Sequence, residues 1–307
     1  MESSIDQIRL NFNHQSLMAL NVVLALVMLG VALDLKVSDF KAALNTPKAL
    51  LIGIVSHHIL FPAGTFLLIL LLKPLPSIAL GMLLVSSCPA GHISNFFTHR
   101  AEGNTALSVS ISTLSTIAAF FFMPLNVSFW ASHHPGMHAI LKDFSLDPGK
   151  MILDIGILLG APLAIGLTIS HQLPKLAKRL LKPMRLFSMV VFMLFVCGAL
   201  AANWTFFRQY ASVVAGLVFV HNALALGSGY GLAKVFGLSE RDSRAVAFET
   251  GIQNSGLGLV LIFNFFGGLG GMAIITAWWG IWHIVGGMAL STYWMTRRQP
   301  LANVVTT

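Results

Sequence analysis

Charge is the first thing this chain lacks: Asp, Glu, Lys and Arg together make up 10% of its 307 residues. Soluble chains carry about a quarter, so this one cannot clothe an ordinary water-facing surface. Cysteine is scarce too. The 2 cysteines, Cys88 and Cys197, each stand inside an apolar stretch, which argues against a disulfide scaffold and for buried small hydrophobes. The opening MESSIDQIRLNFNHQ has neither the basic start nor the apolar core of a cleaved signal, so the first span is expected to do the targeting. No HExxH or CxxC motif and no nucleophile–base–acid set occurs, and an enzyme is not expected. The formal net charge is +8, but the basic residues lie between apolar stretches. That distribution suits orientation in a membrane rather than a nucleic-acid partner.

What the chain has instead is apolar length. Hydrophobic residues make up 56% of it, and stretches near the ~20 residues needed to cross a bilayer recur along it. The buried strands of a soluble α/β enzyme would run about 4–8 residues between polar turns. The pattern predicts an all-α polytopic membrane protein with spans at 17–33, 49–72, 78–98, 104–128, 151–171, 184–203, 211–233, 243–263 and 272–294. Nine spans put the termini on opposite sides. With the N-terminus outside, 14 of the 19 Lys and Arg fall on one side and 5 on the other. The positive-inside rule makes the richer side, with the tail 295–307, cytoplasmic; the expected location is the cell inner (plasma) membrane. Segment 130–149, with His133, His134 and His138, becomes an outside loop. Three histidines without a tight ligand set read as solvent-facing rather than as a metal site. Trp278, Trp279 and Trp282 read as an interface belt.

Two pairs of segments echo each other. VSHHILFPAG (55–64) precedes a span broken by the polar cluster SSCPAGHISN (86–95), and FVHNALALGSG (219–229) precedes one broken by ETGIQNSG (249–256). The second cluster lies on the fifth span after the first, so the two helices run in opposite directions. Paired broken helices in oppositely oriented halves point to a transporter's binding site. Pro89 lacks an amide hydrogen and Gly91 tolerates unusual dihedrals, so the first helix is expected to open there.

Glu249 carries the most information. An ionised carboxylate well inside an apolar span costs several kcal/mol unless a cation, water or donor compensates it. Sodium suits that role, as a hard cation that takes carboxylate, hydroxyl and carbonyl oxygens. Gln253 stands four residues on, on the same helix face. Ser108 and Ser112 share a face at i,i+4; with Ser94, Asn95 and Glu249 they would complete an oxygen cage. The alternatives are a hydrogen-bonded Glu249 that merely holds helices together, and serines bonded to their own helix carbonyls. His57, His58, His92, His221 and His283 lie mid-span, where they could bond across helices or carry a proton.

At these clusters the chain resembles the bile acid:sodium symporter family, in its bacterial, nine-span form. The resemblance runs from about Leu17 to Trp294 and is carried by ETGIQNSGL at 249–257, the pair Ser94–Asn95, GNTALSVSISTLST at 103–116, and Trp282–His283. It implies an inverted-repeat carrier with a core and a panel domain, in which two discontinuous helices, here 78–98 and 243–263, cross near the midplane. By that likeness residues 49–128 and 211–263 form the two core halves. Residues 17–33 and 151–203 then form the panel and connecting helices, 272–294 a last helix on the panel side, and 1–16 a polar leader to the first span. One sodium site is implied at Ser94, Asn95, Ser108, Ser112 and Glu249, with Thr113 adjacent. A second is implied at Glu249, Thr250, Ile252 and Gln253, in part through backbone oxygens. The family's further ligand there is usually Gln, at the position of His57. Imidazole offers nitrogen, which sodium takes poorly, so that site is expected to be weakened or replaced by a proton. Ile284 stands where bacterial members commonly present Asn near the substrate, so changed substrate contacts are expected. His57, Asn254 and His283 are candidates for substrate contact or coupling.

The expected function is import of an organic anion, bile acid-like or a smaller carboxylate, by sodium symport. Sodium is the coupling ion, no other cofactor or obligatory protein partner is expected, and lipid surrounds the chain. The alternatives are a proton-coupled carrier using Glu249 with His57 or His221, a non-transporting membrane sensor, and a membrane enzyme.

Overall fold

The structure, a computed structural model, describes residues 46–144, 156–202 and 204–297, with scattered positions among 5–33 and at 149 and 153. Most of the segment 1–16 and of the expected span 17–33 lies outside the described residues, as do residues 34–45, the start of 151–171 and the tail from 298.

Helix α1 runs Pro47–Leu72. Pro47 sits in its first turn, where the missing N–H costs nothing. The helix ends on Lys73, whose φ of 47° is left-handed and whose N–H reaches Ile69 O. Inside α1, Ser56–Leu60 forms a π turn, a widened ring that leaves one carbonyl without its α-helical partner. Asn126 Nδ2 donates to that ring's His58 O at 2.9 Å. Then follow α2 (Pro76–Ser87), α3 (Ile93–Arg100), α4 (Thr105–Ser132) and α5 (Pro135–Asp143). After a second π turn at Gly156–Gly160 come α6 (Ala161–Gln172), α7 (Pro174–Ala202), α8 (Trp204–Val235), α9 (Glu240–Gly251), α10 (Ser255–Phe265) and α11 (Gly270–Thr296).

Among the described residues, 4 stretches are long and apolar enough to cross a membrane: Pro47–Leu72, Thr105–Ser132, Arg208–Val235 and Gly270–Thr296. Helices α2 and α10 are apolar but shorter. Each is separated by a break from a more polar partner, α3 or α9. Along α1, Leu51, Leu67 and Leu71 are 64%, 66% and 76% exposed. Such an outward apolar face is stable against lipid tails rather than water.

Two stretches differ from the sequence reading. The expected outside loop at 130–149 holds a helix. Chain α4 continues to Ser132, and Pro135 then starts α5 with His134 as its cap, Met137 N donating to His134 Nδ1 at 3.3 Å. Met137 is fully buried, and Ile140 and Leu141 pack on the same core, a helical spacing hidden behind the polar ends of the segment. Helix α7 begins at Pro174 rather than at 184, because Lys175, Lys178, Arg179 and Lys182 lie exposed on a helix that outruns its apolar portion. Lys and Arg are good helix formers even where nothing packs on them.

The main core joins α1, α2, α10 and α11 around Phe61, Phe266 and Trp279. Helix α11 lies close along α2, where a Cβ at Gly81 would stand 2.8 Å from Met272 Cα; it packs also on α8, α10 and α3. Trp279 is fully buried against Phe61 and His221, so it belongs to this core and not to an interface belt. A separate small cluster of Ala32 and Leu163, with Phe120 beside it, ties the 17–33 stretch to α6.

The two breaks meet. Helix α2 gives way at Cys88, whose ψ of 155° is extended, and α9 at Ile252, also extended at φ −115° and ψ 106°. Between them Ala90 and Gln253 pair as an antiparallel bridge. Gly91 N donates to Ile252 O at 2.8 Å and Asn254 N to Pro89 O at 2.9 Å. Backbone groups released from a helix inside an apolar interior must find partners there, and each break supplies them to the other. Gly91 is required by the closeness of the approach: a Cβ on it would lie 3.0 Å from Gln253 O.

Candidate functional site

Glu249 ends up in the last turn of α9, fully buried. Ser94 comes from the first turn of α3, just past the first break, and Ser108 and Ser112 from one face of α4. All three hydroxyls converge on the carboxylate. Ser94 Oγ donates to Oε1 at 2.6 Å and Ser112 Oγ to Oε2 at 2.6 Å; Ser108 Oγ also donates to Oε1. Asn95 Oδ1 lies 2.8 Å from Ser108 Oγ, and Thr98 Oγ1 lies 3.1 Å from it.

A hydroxyl has one proton to give. Ser108 therefore cannot serve Glu249 and Asn95 at once, and oxygen lone pairs outnumber protons in this cluster. An acid buried among hydroxyl and amide oxygens, with no cationic side chain among its hydrogen-bond partners in the described residues, suits a hard cation, sodium included. The donor set fits that ion. Of the residues grouped from the sequence, Ser94, Asn95, Ser108, Ser112 and Glu249 come together. Thr113 is buried with its hydroxyl unpartnered.

The second group is arranged differently. Thr250 Oγ1 donates to Val246 O at 2.9 Å and lies 2.9 Å from Ser56 Oγ. Gln253 Nε2 donates to Thr250 O at 2.8 Å, and Ile252 O is taken by Gly91 N. Gln253 Oε1 is buried with no partner. His57, carried inward on the π turn, holds the backbone at both breaks: Nδ1 is 2.7 Å from Glu249 O and Nε2 is 2.8 Å from Cys88 O. Asn254 caps α10, accepting from Leu257 N at 3.1 Å. His283 is buried on α11 with Nδ1 unpartnered, and no hydrogen bond joins it to the Glu249 cluster.

Three participants escape a reading of the sequence. Ser56 bonds Thr250, Thr98 bonds Ser108, and Asn222 Nδ2 caps the freed Gly251 O at 2.7 Å. The last had a signal, since an Asn beside His221 in an apolar span needs a buried partner.

The base of α9 is tied to the segment that carries the serines. Asn104 N donates to Arg241 O at 2.9 Å, and Asn104 Nδ2 to Asp242 Oδ1 at 2.7 Å. Arg244 Nη1 donates to Ala101 O at 2.7 Å and Nε to Glu240 Oε1 at 3.0 Å. Glu240 also accepts from Tyr230 and Lys234. Burial works against the Glu240 carboxylate, but the hydrogen bonds from Tyr230, Arg244 and Lys234 outweigh it and hold the carboxyl below its ordinary value.

A helical membrane protein with a buried acid beside two interrupted helices is of the class that moves solutes across membranes. The comparisons give the family. Residues 21–208 match the Sodium Bile acid symporter family, and the chain belongs to it. It is 30% identical over 275 residues to an uncharacterized sodium-dependent transporter, YocS, of Bacillus subtilis (strain 168), covering 90% of this chain and 82% of that one. It is 34% identical over 253 residues to the rice (Oryza sativa subsp. japonica) probable sodium/metabolite cotransporter BASS1, chloroplastic, covering 81% of this chain and 59% of that protein. With the human ileal sodium/bile acid cotransporter it shares 28% over 248 residues, 78% of this chain and 67% of the relative. The chain is thus a multi-pass membrane protein and a sodium-coupled secondary transporter of an organic solute.

Proposed function

We propose that this protein imports an organic anion together with sodium, that sodium binds at Glu249, Ser94, Asn95, Ser108 and Ser112, and that the anion binds where the two breaks cross. The observation that carries the reading is the Glu249 carboxylate, fully buried and held by three hydroxyls and, among the described residues, by no cationic side chain. Leaving a lone charge there is costly, so an entering cation is favoured.

The anion half rests on the helix starts. Helices α3 and α10 both begin just past the crossing, at Ile93 and Ser255, and the positive end of a helix dipole favours negative charge. His92, Ile93 and Phe96 are exposed there, while Asn95 and Asn254 are half-buried. Asn95 thus stands between the two proposed sites, and an ion on its oxygen would set its amide toward the anion. Differential binding of this kind couples the ion to the substrate.

In this reading the two breaks belong to an inverted repeat, with residues 49–128 and 211–263 as core halves and 17–33 with 151–203 as the panel. Helix α11 is grouped with the core on the strength of its packing against α2, α3 and α8. The N-terminus lies outside and the C-terminus in the cytoplasm. Ser77 N donates to Asp6 Oδ1 at 2.9 Å, so residue 6 stands on the same side as the start of α2, as two intervening spans require.

The test is a thermal-stability titration of the purified protein with NaCl against matched KCl, followed by uptake into liposomes. Sodium-selective stabilisation and sodium-driven counterflow of a carboxylate are expected. An equal response to both salts with uptake driven by a pH gradient would replace sodium with a proton. Ligand binding without counterflow would make the protein a sensor, and substrate turnover without net transport an enzyme.

A further inference from the structure

The sodium reading leaves His57 unused. Its side chain is fully buried, and both ring nitrogens face carbonyl oxygens, Glu249 O at 2.7 Å and Cys88 O at 2.8 Å. One of these oxygens belongs to each interrupted helix. Cys88 is the residue at which α2 stops, and Glu249 lies in the final turn of α9. Carbonyls near a helix end lack their usual N–H donors, and two of them turned toward one point form an oxygen pair that a cation or hydrogen-bond donors can satisfy.

His57 stands at that point. Its ring lies within hydrogen-bond reach of both carbonyls, so it links the two breaks as an ion would and occupies the space that an ion would need. Around it the Thr250 and Ile252 oxygens are engaged by protein groups. Thr250 O accepts from Gln253 Nε2, Thr250 Oγ1 pairs with Ser56 and Val246, and Ile252 O accepts from Gly91 N. The π turn makes this possible, because it carries Ser56 and His57 together into the interior.

We propose that the His57 ring fills the cation position between the Cys88 and Glu249 carbonyls, so that the carrier binds one sodium ion per cycle, at Glu249, and no second. The inference deepens the sodium reading above and rests on it. It assigns to the chain a fixed side chain where an exchangeable ion would otherwise sit.

The experiment is equilibrium binding of radioactive sodium to the purified full-length protein at a fixed neutral pH, with stoichiometry and Hill slope measured together. The wild-type protein is expected to bind one sodium with a slope of about 1, and His57→Gln two, with a slope rising toward about 2. Glutamine puts a carbonyl oxygen where the ring stood, and Gln253 Oε1, buried and unpartnered, is available beside Thr250 to complete the set. Two sodium ions in the wild-type protein would overturn the proposal and leave the Glu249 site standing. So would a folded His57→Gln protein, judged by an unshifted melting temperature, that still binds one. Should that variant fail to fold, the wild-type stoichiometry decides by itself. No sodium bound to the wild-type protein, or binding undiminished in Glu249→Gln, would instead overturn the Glu249 reading and this inference with it.

Discussion

Glu249 and its three serines act as a unit, and single substitutions should reveal unequal shares. Ser94 and Ser108 both serve Oε1, whereas Ser112 alone serves Oε2. Removing the Ser112 hydroxyl leaves one carboxylate oxygen without a donor and takes one oxygen from the ion. Ser112→Ala is expected to raise the sodium midpoint about tenfold, near 1.4 kcal/mol, while Glu249→Ala abolishes sodium-dependent stabilisation. A sodium titration read by thermal shift checks both, and undiminished stabilisation in Glu249→Ala would sink the assignment. These residues were legible because each is a polar group in an apolar stretch whose cost demands a partner. Ser56 and Thr98 were not. Ser87, Ser110 and Thr116 each donate to the carbonyl four residues back in their own helix, at 2.8–2.9 Å. Nothing in a sequence separates a hydroxyl of that kind from one that reaches another helix.

At the scale of elements the breaks were readable and the π turn was not. Pro89 and Gly91 announce a helix that stops, but SHHIL is compatible with an unbroken α-helix, and only the packing of Ser56 and His57 against α9 and Cys88 selects the wider ring. An atom added at Gly91 would press on the Gln253 backbone at 3.0 Å. Gly91→Ala is expected to destabilise the protein by about 1–3 kcal/mol, seen as a lower melting temperature. Gly216→Ala on α8, where a Cβ would meet nothing within 4 Å, should be neutral or mildly stabilising. Equal effects of the two would count against a tight crossing. The anchoring of α9 gives a pH signature. Because the Glu240 carboxyl is held below its ordinary value in the folded protein, its contribution is fully present above the unfolded carboxylate value of about 4.3. It is lost as pH falls through the folded value. The melting-temperature gap between wild type and Glu240→Gln should thus be constant near neutrality and close in acid; a gap that widened in acid would reverse the sign.

For the whole molecule, composition alone made the membrane plain, while the grouping of helices depended on long-range contacts that no local pattern reports. Helix α11 illustrates this: its apolar run says that it spans, and only Gly81 against Met272 says which neighbour it lies along. Topology is the prediction at this scale. A protease-cleavable tag on the C-terminus should be protected in intact cells and cut in inverted vesicles, whereas one on the N-terminus should show the opposite. Cleavage of the C-terminal tag from outside would refute the orientation drawn from the 14 to 5 distribution of the 19 basic residues.

The pairing of Ala90 with Gln253 is made by main-chain atoms alone. An axle built of peptide groups is indifferent to most of the side chains mounted on it, so the exposed Ile93 and Phe96 beside it can diverge without loosening it. Descendants of one such carrier could then trade one cargo for another by a few substitutions beside the axle, keeping unaltered the machinery that harnesses the ion gradient.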